Sequence, residues 1–207
     1  MNRIINKIRC LILKLKYKKT ISFVKLNARK LKIKNNGFDN NLHIAEYCSV
    51  NNCNFIFMGN NNKIIIQDRV RLDGVTIWIE DNNNTILIGS KSSFESGTQL
   101  AACEGTNILI GQDCMFSNNI SVRTTDSHSI LDINNLRINK AKDIRIGNHV
   151  WVGFQSLILK GSDISDNSII GAHSVVSSSS PKISNCIMAG NPVKVIRKDI
   201  NWSRERI

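Results

Sequence analysis

Four histidines (His43, His128, His149 and His173) and six cysteines (Cys10, Cys48, Cys53, Cys103, Cys114 and Cys186) are the side chains whose types allow proton transfer, thiol chemistry or metal binding. The cysteines show no CxxC and no metal-finger spacing. Two of them, Cys48 and Cys114, fall where a repeat described below needs a small inward residue, and there a cysteine acts as a small hydrophobe. Reduced core thiols in a cytosolic protein are expected, not a disulfide framework. His128 differs from the other histidines in its setting. It lies in the polar stretch RTTDSHSILDINNLRINKAKDIR (123–145), flanked by Asp126 and Asp132. An imidazole of ordinary pKa, about 6.5, accepts a proton near neutral pH. A flanking carboxylate has two readings: it orients the ring, or it is a turn residue bonded to its own backbone.

What positions such a residue is legible from the stretch that follows it. From Ile146 the chain reads in sixes: IGNHVW, VGFQSL, ILKGSD, ISDNSI, IGAHSV, then Val176. An aliphatic residue opens each six (Ile146, Val152, Ile158, Ile164, Ile170, Val176), and Val150 or a serine (Ser156, Ser162, Ser168, Ser174) stands four places on. Helices repeat at about 3.6 and strands at 2, so a period of six fits neither. It fits a solenoid in which each six forms one flat face with one aliphatic side chain pointing inward. Three such faces close a triangular coil.

Upstream the period lengthens. Ile44, Ile66, Ile88 and Ile110 are spaced by 22, and segments 61–72, 83–94 and 106–116 superpose without gaps. Each reads as a coil of 18 plus about four turn residues, with Asn-rich inserts at Asn60–Asn62 and Asn82–Asn84. Because the chain has 27 Asn against 12 Gly, asparagine is expected to take the left-handed corners and to stack in ladders. The phase breaks after Val122 and returns at Ile146, so 123–145 is a loop leaving a rigid coil, a favoured place for function. A hairpin is expected around Asn134-Asn135. After Val176 the repeat decays through Pro181 and Pro192, and 198–207 reads as a short tail or final helix.

The formal charge of +12 is concentrated at one end. Residues 1–36 carry twelve Lys or Arg and no Asp or Glu; the rest holds 16 basic and 16 acidic residues and is neutral. The coils are therefore not a nucleic-acid platform. Within 2–19, Ile4, Ile8, Leu11, Ile12 and Leu15 form a helical stripe, with Arg3, Lys7, Lys14 and Lys18 elsewhere. Such a basic amphipathic helix either attaches to an anionic membrane surface or to a partner, or packs on the end of the solenoid and shields its open edge. Residues 20–36 read as an irregular strand ending at Asn35-Asn36-Gly37. No apolar run reaches the ~18 residues of a membrane span, and Lys and Arg interrupt the N-terminus too often for a signal peptide. The expected organisation is a basic capping segment at 1–36, a solenoid at 37–197 with the loop 123–145, and a tail at 198–207.

The sixes, the closing AGNPVKVIR (189–197), the loop with TDSH (125–128) and the run DIRIGNHVWVG resemble the hexapeptide-repeat acetyltransferases, most of all those that O-acetylate bacterial capsule or lipopolysaccharide sugars. The resemblance covers roughly 38–202. It implies an all-β fold, a left-handed parallel β-helix with a short N-terminal helix, a protruding loop and a short C-terminal tail. It implies a homotrimer with acetyl-CoA lying between neighbouring subunits, and a sugar or polysaccharide acceptor. His128 matches the family's general base, which deprotonates an acceptor hydroxyl for direct attack on the thioester. Trp151 matches a wall beside the pantetheine arm or acceptor. Backbone N–H groups around Gly153 and Ala172 match donors to the pantetheine amides or thioester oxygen. Lys194 and Arg197 match the basic pair that meets the CoA phosphates.

Four positions depart from the family's pattern. Ser177 and Ser178 stand where relatives have Thr-Lys against CoA, which leaves Ser177 as the cofactor contact and removes one phosphate contact. Phe154 replaces a small residue near the cofactor. Glu95 stands in place of a catalytic asparagine and either binds an acceptor hydroxyl or faces solvent. Zinc chemistry of the kind one branch of the fold performs is not expected, because the close histidine pairs of that branch are missing, and no metal is implied. His149 and His173 read as corner residues. Two other functions stay open: N-acetylation of an amino-sugar nucleotide on the same scaffold, and a non-catalytic solenoid that binds polysaccharide. A cytoplasmic location is expected, with 1–36 suited to a peripheral contact at the inner membrane face.

Overall fold

The structure, a computed structural model, describes residues 2–17, 20–23 and 25–207, without the side chains of 2–4, 9 and 14. Helix α1 (Asn2–Lys16) precedes a stack of three-strand coils. The first three coils are β1 (Ile21–Phe23), β2 (Asn27–Arg29) and β3 (Lys32–Asn35); β4 (Asn41–Ile44), β5 (Ser49–Asn51) and β6 (Asn54–Phe57); and β7 (Lys63–Ile66), β8 (Arg71–Asp73) and β9 (Thr76–Ile79). Two more follow: β10 (Thr85–Ile88), β11 (Ser93–Phe94) and β12 (Gln99–Ala102), then β13 (Asn107–Ile110), β14 (Met115–Phe116) and β15 (Ser121–Arg123). Beyond the loop come β16 (Ile144–Ile146), β17 (Trp151–Val152) and β18 (Leu157–Ile158), then β19 (Asp163–Ile164), β20 (Ile169–Ile170) and β21 (Val175–Val176). An antiparallel hairpin of β22 (Cys186–Gly190) and β23 (Val193–Lys198) ends the stack. Equivalent strands of successive coils pair in parallel into three sheets. Sheet A runs from β1 to β19, sheet B from β2 through β20 to the hairpin, and sheet C from β3 to β21.

The register explains both periods. Asn41 pairs with Lys63, Lys63 with Thr85 and Thr85 with Asn107, each 22 residues on. After the loop, Trp151 pairs with Ile169 and Leu157 with Val175, 18 residues on. The residues opening the sixes, Ile146 through Val176, are all buried, as are Ile44, Ile66, Ile88 and Ile110 upstream. The serines four places on are buried too, and their hydroxyls are used. Ser156 donates to the Gly171 carbonyl at 3.0 Å and Ser168 to that of Ile183 at 3.2 Å. Cys48, Cys53 and Cys114 are buried free thiols, and burial pushes Cys53 and Cys114 up to about 11, so they stay protonated as core residues.

The inserts of the long coils all fall at one corner, where sheet C hands over to sheet A. There Asn40, Asn62 and Asn84 stack in the interior. The Asn62 N–H donates to Asn40 Oδ1 at 2.9 Å, Asn84 N–H to Asn62 Oδ1 at 2.8 Å and Thr106 N–H to Asn84 Oδ1 at 3.0 Å. The Thr106 hydroxyl then meets Thr124 Oγ1 at 2.7 Å. Each side chain stands in for a backbone acceptor in the next coil, the ladder expected of stacked asparagines. Left-handed corners are held by Asn52, Asn61, Asn83, Asn119 and Asn167 among others, and by His149 and His173.

One expectation about the N-terminal part differs from the structure. The strands β1, β2 and β3 form a first coil instead of an irregular strand, because the inward side chains Ile21, Phe23, Leu26, Ala28 and Ile33 continue the core. Helix α1 does cap the open end, but not with its apolar stripe. Cys10, Leu13 and Tyr17 pack on the core, while Ile8, Leu11, Ile12 and Leu15 are exposed. The free edge of the first coil is met by polar groups. Asn6 accepts from the Ala28 N–H at 3.0 Å and donates to the Leu26 carbonyl at 2.9 Å, and the Tyr17 hydroxyl donates to the Ile33 carbonyl at 2.7 Å. One amide side chain thus replaces the peptide group that a further coil would have supplied. The side chains of the expected stripe residue Ile4 and of the basic Arg3 and Lys14, and the whole of Lys18, lie outside what the structure describes.

Candidate active site

The loop carrying His128 leaves from the corner built by the asparagine ladder. Thr124 N–H donates to the Ala101 carbonyl and its own carbonyl accepts from Lys142, so entry and exit are pinned to one residue. Asn139, buried, organises what lies between. Its Nδ2 donates to the His128 carbonyl at 2.8 Å and to Asp126 Oδ2 at 2.9 Å, and its Oδ1 accepts from the Ile130 N–H at 2.7 Å. Lys160, from the coil above, pairs with Asp126 and donates to the Asn139 carbonyl at 3.0 Å. Glu104, from the coil below, accepts from Arg137 at 2.5 Å and from the Ala141 N–H at 3.2 Å. The hydrogen bonds from Lys160 and Asn139 hold the Asp126 carboxyl below its usual range, and Arg137 does the same for Glu104.

These contacts fix the backbone on both sides of His128 and leave the residue exposed. Neither flanking carboxylate orients the ring. Asp126 is engaged by Lys160 and Asn139. Asp132 caps the turn of the expected hairpin, accepting from the Asn134 and Leu136 N–H groups at 2.8 and 2.9 Å beside the Leu131–Arg137 bridge. At the foot of the loop a groove of about 470 Å³ runs along the outer face of sheet C. Ile56, Trp78 and Ala101 form its floor, Glu80 and Arg123 carry its charge, and Ser127 closes the end next to His128.

The residues matched to cofactor binding gather elsewhere. Gly153 and Ala172 lie at the corner from sheet B to sheet C, on the opposite edge of sheet C from the loop. The Gly153 N–H is already spent on the Ile170 carbonyl at 2.8 Å, so it is not a free donor to a ligand. The glycine is required there for another reason: a Cβ would come within 2.6 Å of the Ala172 nitrogen and 2.8 Å of the Ile170 oxygen. Ala172 N–H has no acceptor among the described residues and Ala172 is exposed, so the donor expected at this corner is Ala172. The Phe154 ring stands edge-on to His173 at the same corner, 5.5 Å between centroids.

Above Gly171 sits Ala189, whose hairpin partner is Lys194. Lys194 and Arg197 are three apart, which in a regular strand would put them on opposite faces. The bulge at Ile196 corrects this: Lys194 lies opposite Ala189 and Arg197 opposite Ile187, so both point outward. Gly153, Ala172 and Lys194 thus line one edge, but Ser177 does not join them. It follows β21 at the sheet C to sheet A corner, its hydroxyl against that of Ser179 at 3.0 Å. Glu95 is paired with Arg71 on the outer face of sheet B.

Trp151 stands on the outer face of sheet B between Met115 and Ile169, and the tail folds back beside it. The buried Trp202 stacks on His149 (centroids 4.1 Å apart) and tilts against Trp151 at 6.1 Å. Trp202 Nε1 donates to the His149 carbonyl at 2.8 Å, and His149 Nδ1 meets Asp113 at 2.7 Å. Arg204 reaches Asp113 at 3.0 Å and the Cys114 carbonyl at 2.8 Å. Burial raises the Asp113 carboxyl, but bonds from His149 and Arg204 outweigh it and the net shift is downward. Trp202 and Arg204 lie in the tail, to which the sequence assigns no contacts. An isolated Trp in a polar tail outside the repeat was the available signal. Among the described residues no cluster of three metal-ligating side chains is present.

No family model matches the chain. Among solved structures it is similar to the polysialic acid O-acetyltransferase OatWY, at 31% identity and a TM-score of 0.83, covering 91% of this chain and 89% of that one. It is also similar to the polysialic-acid-specific acetyltransferase NeuO, at 32% identity and a TM-score of 0.65, covering 84% and 83%. Among curated proteins, the polysialic acid O-acetyltransferase of Escherichia coli O1:K1 / APEC is 38% identical over 86 residues, and the galactoside O-acetyltransferase of Escherichia coli K12 is 47% identical over 55. These last two stretches take in 41% and 27% of this chain and span only 27% and 26% of the relatives' own length. At 31% identity over nine-tenths of its length, the chain belongs to the hexapeptide-repeat acetyltransferases, the family of the polysialic acid O-acetyltransferases.

Proposed function

We propose that this protein is an acetyl-CoA-dependent O-acetyltransferase that acts on a sugar hydroxyl of a bacterial surface polysaccharide, capsule or O-antigen, in the cytoplasm. The observation that carries the reading is the similarity to OatWY over 91% of the chain, at 31% identity and a TM-score of 0.83. His128 takes the proton of the acceptor hydroxyl. The freed oxygen attacks the thioester carbonyl, the carbon–sulfur bond breaks, and the imidazolium returns its proton to the departing CoA thiolate. The groove between Trp78 and Arg123 receives the acceptor, with an aromatic floor for a sugar ring and a cation for an anionic polymer. Ala172 donates to the pantetheine arm, Trp151 walls it, and Lys194 with Arg197 meets the CoA phosphates.

One chain holds the base and the cofactor edge on opposite edges of sheet C. That separation supports a homotrimer in which the loop of one subunit faces the Gly153–Ala172–Lys194 edge of the next. The direct test is to incubate the protein with acetyl-CoA and candidate polysaccharides, polysialic acid among them, and to follow free thiol and new acetyl esters. Thiol release that depends on the polysaccharide is expected. No turnover with any hydroxyl-bearing sugar, together with no binding of CoA, would sink the reading.

A further inference from the structure

Helix α1 presents two faces with different roles. Asn6, Cys10, Leu13 and Tyr17 face the first coil and tie the helix to its edge. At about 100° per residue, Ile8, Leu11, Ile12 and Leu15 fall on the far side. They are exposed to 53%, 58%, 56% and 71%, with Ile5 at the margin. Lys7 and Lys16, both exposed, flank this stripe, one on each side. The capping work is therefore done by one face, and the fold leaves a second, wholly apolar face in water. Four large aliphatic side chains aligned on one helix in this way mark a surface that something covers.

The charge distribution decides what. Residues 1–36 hold twelve cations and no anion, and the remaining chain is neutral overall. A second copy of α1 laid on the first would bring both basic flanks together, and like charges at that distance repel. An anionic bilayer surface offers what both parts of the helix require, an apolar layer for the stripe and phosphates for the lysines beside it. We propose that α1 lies in the plane of an anionic membrane surface, with Ile8, Leu11, Ile12 and Leu15 in the headgroup–acyl boundary and Lys7 and Lys16 at the lipid phosphates. Because the helix covers the open end of the first coil, the solenoid stands on the membrane by its N-terminal end. The helix is too short and too charged to cross, and no helix among the described residues is long and apolar enough to do so.

The experiment is sedimentation of the full-length protein with vesicles of phosphatidylcholine alone or with roughly a third phosphatidylglycerol, at low and raised salt. Binding to the anionic vesicles alone, weakening as salt rises, is expected. The variant Ile8→Ser/Leu11→Ser/Ile12→Ser should lower the partition coefficient by about tenfold or more, and Lys7→Glu/Lys16→Glu by about fivefold per lysine. Both variants alter exposed residues, so their melting temperatures should match the native protein's. Leu11→Trp should show a blue-shifted emission on anionic vesicles. Native protein that stays in the supernatant, or variants that sediment like it, would overturn the proposal. So would dissociation of an oligomer by the triple serine variant in analytical ultracentrifugation, which would make the stripe an interface between copies. Lipid partition is read without acetyl transfer, so this result stands apart from the transferase reading.

Discussion

His128 is held by its main chain, not by its side chain. Asn139 binds its carbonyl and fixes the next N–H but one, while the residue stays exposed. A side chain so mounted has its position set before a ligand arrives, which suits the base proposed for it. His128→Ala should therefore cut turnover by about 10² to 10⁴ while leaving the dissociation constant for CoA nearly unchanged; unchanged turnover would eliminate the general-base role. Lys194 and Arg197 should behave oppositely. Replacing either with Ala should raise the dissociation constant for acetyl-CoA by about fivefold to tenfold, with less effect on an analogue lacking the 3′-phosphate; isothermal titration decides it. The difference between what could and could not be read in advance is clear at this scale. The inward aliphatics of 146–176 were legible because one rule, repeated every six residues, fixes them. The His149–Asp113–Trp202–Arg204 cluster was not, because it depends on a tail that returns across two coils and on no local period.

The loop is an element in its own right, clamped from below by Glu104 with Arg137 and from above by Lys160 with Asp126. Both carboxyls are held below their ordinary values of 4.5 and 3.8, chiefly by those cations. The sign follows from linkage. The clamps contribute fully above those ordinary values and are lost as pH falls through the lowered folded ones. Amide exchange at Ile130, Ile138 and Lys142, corrected for intrinsic rates, should accelerate below about pH 4 while core amides such as Ser121 stay protected. Equal protection in loop and core would show that the ion pairs do not hold the loop. That a loop begins after Val122 was readable from the lost phase; its clamps were not, since Glu104 and Lys160 are ordinary corner charges in sequence. Helix α1 was legible as amphipathic, but which face it turns to the coil depended on Asn6 and Tyr17 finding unpaired backbone groups at the first coil's edge.

For the whole molecule, the proposed trimer would make activity a property of neighbouring copies, because His128 and the Ala172 edge lie on opposite edges of sheet C in one chain. His128→Ala and Ala172→Tyr, each inactive alone, should recover about a quarter of native activity when co-assembled at random, because some sites then draw both intact parts from different chains. No recovery in verified mixed oligomers would place the whole site within one chain. The triangular stack itself was the most legible feature, as period and burial pattern both follow from the sixes. The gathering of every extra residue at a single corner is a different kind of fact. Asn36–Asn40, 58–62, 80–84 and 103–106 are small versions of the same excursion that becomes the His128 loop, all rising from one column of buried amides and hydroxyls that ends in Thr124. The chain thus has one site of growth. Length added there changes what overhangs the groove and leaves the cross-section of the stack alone, so loops of other sizes grafted between Thr124 and Asp143 should be accepted by the same scaffold, and acceptor preference can diverge without the fold having to be rebuilt.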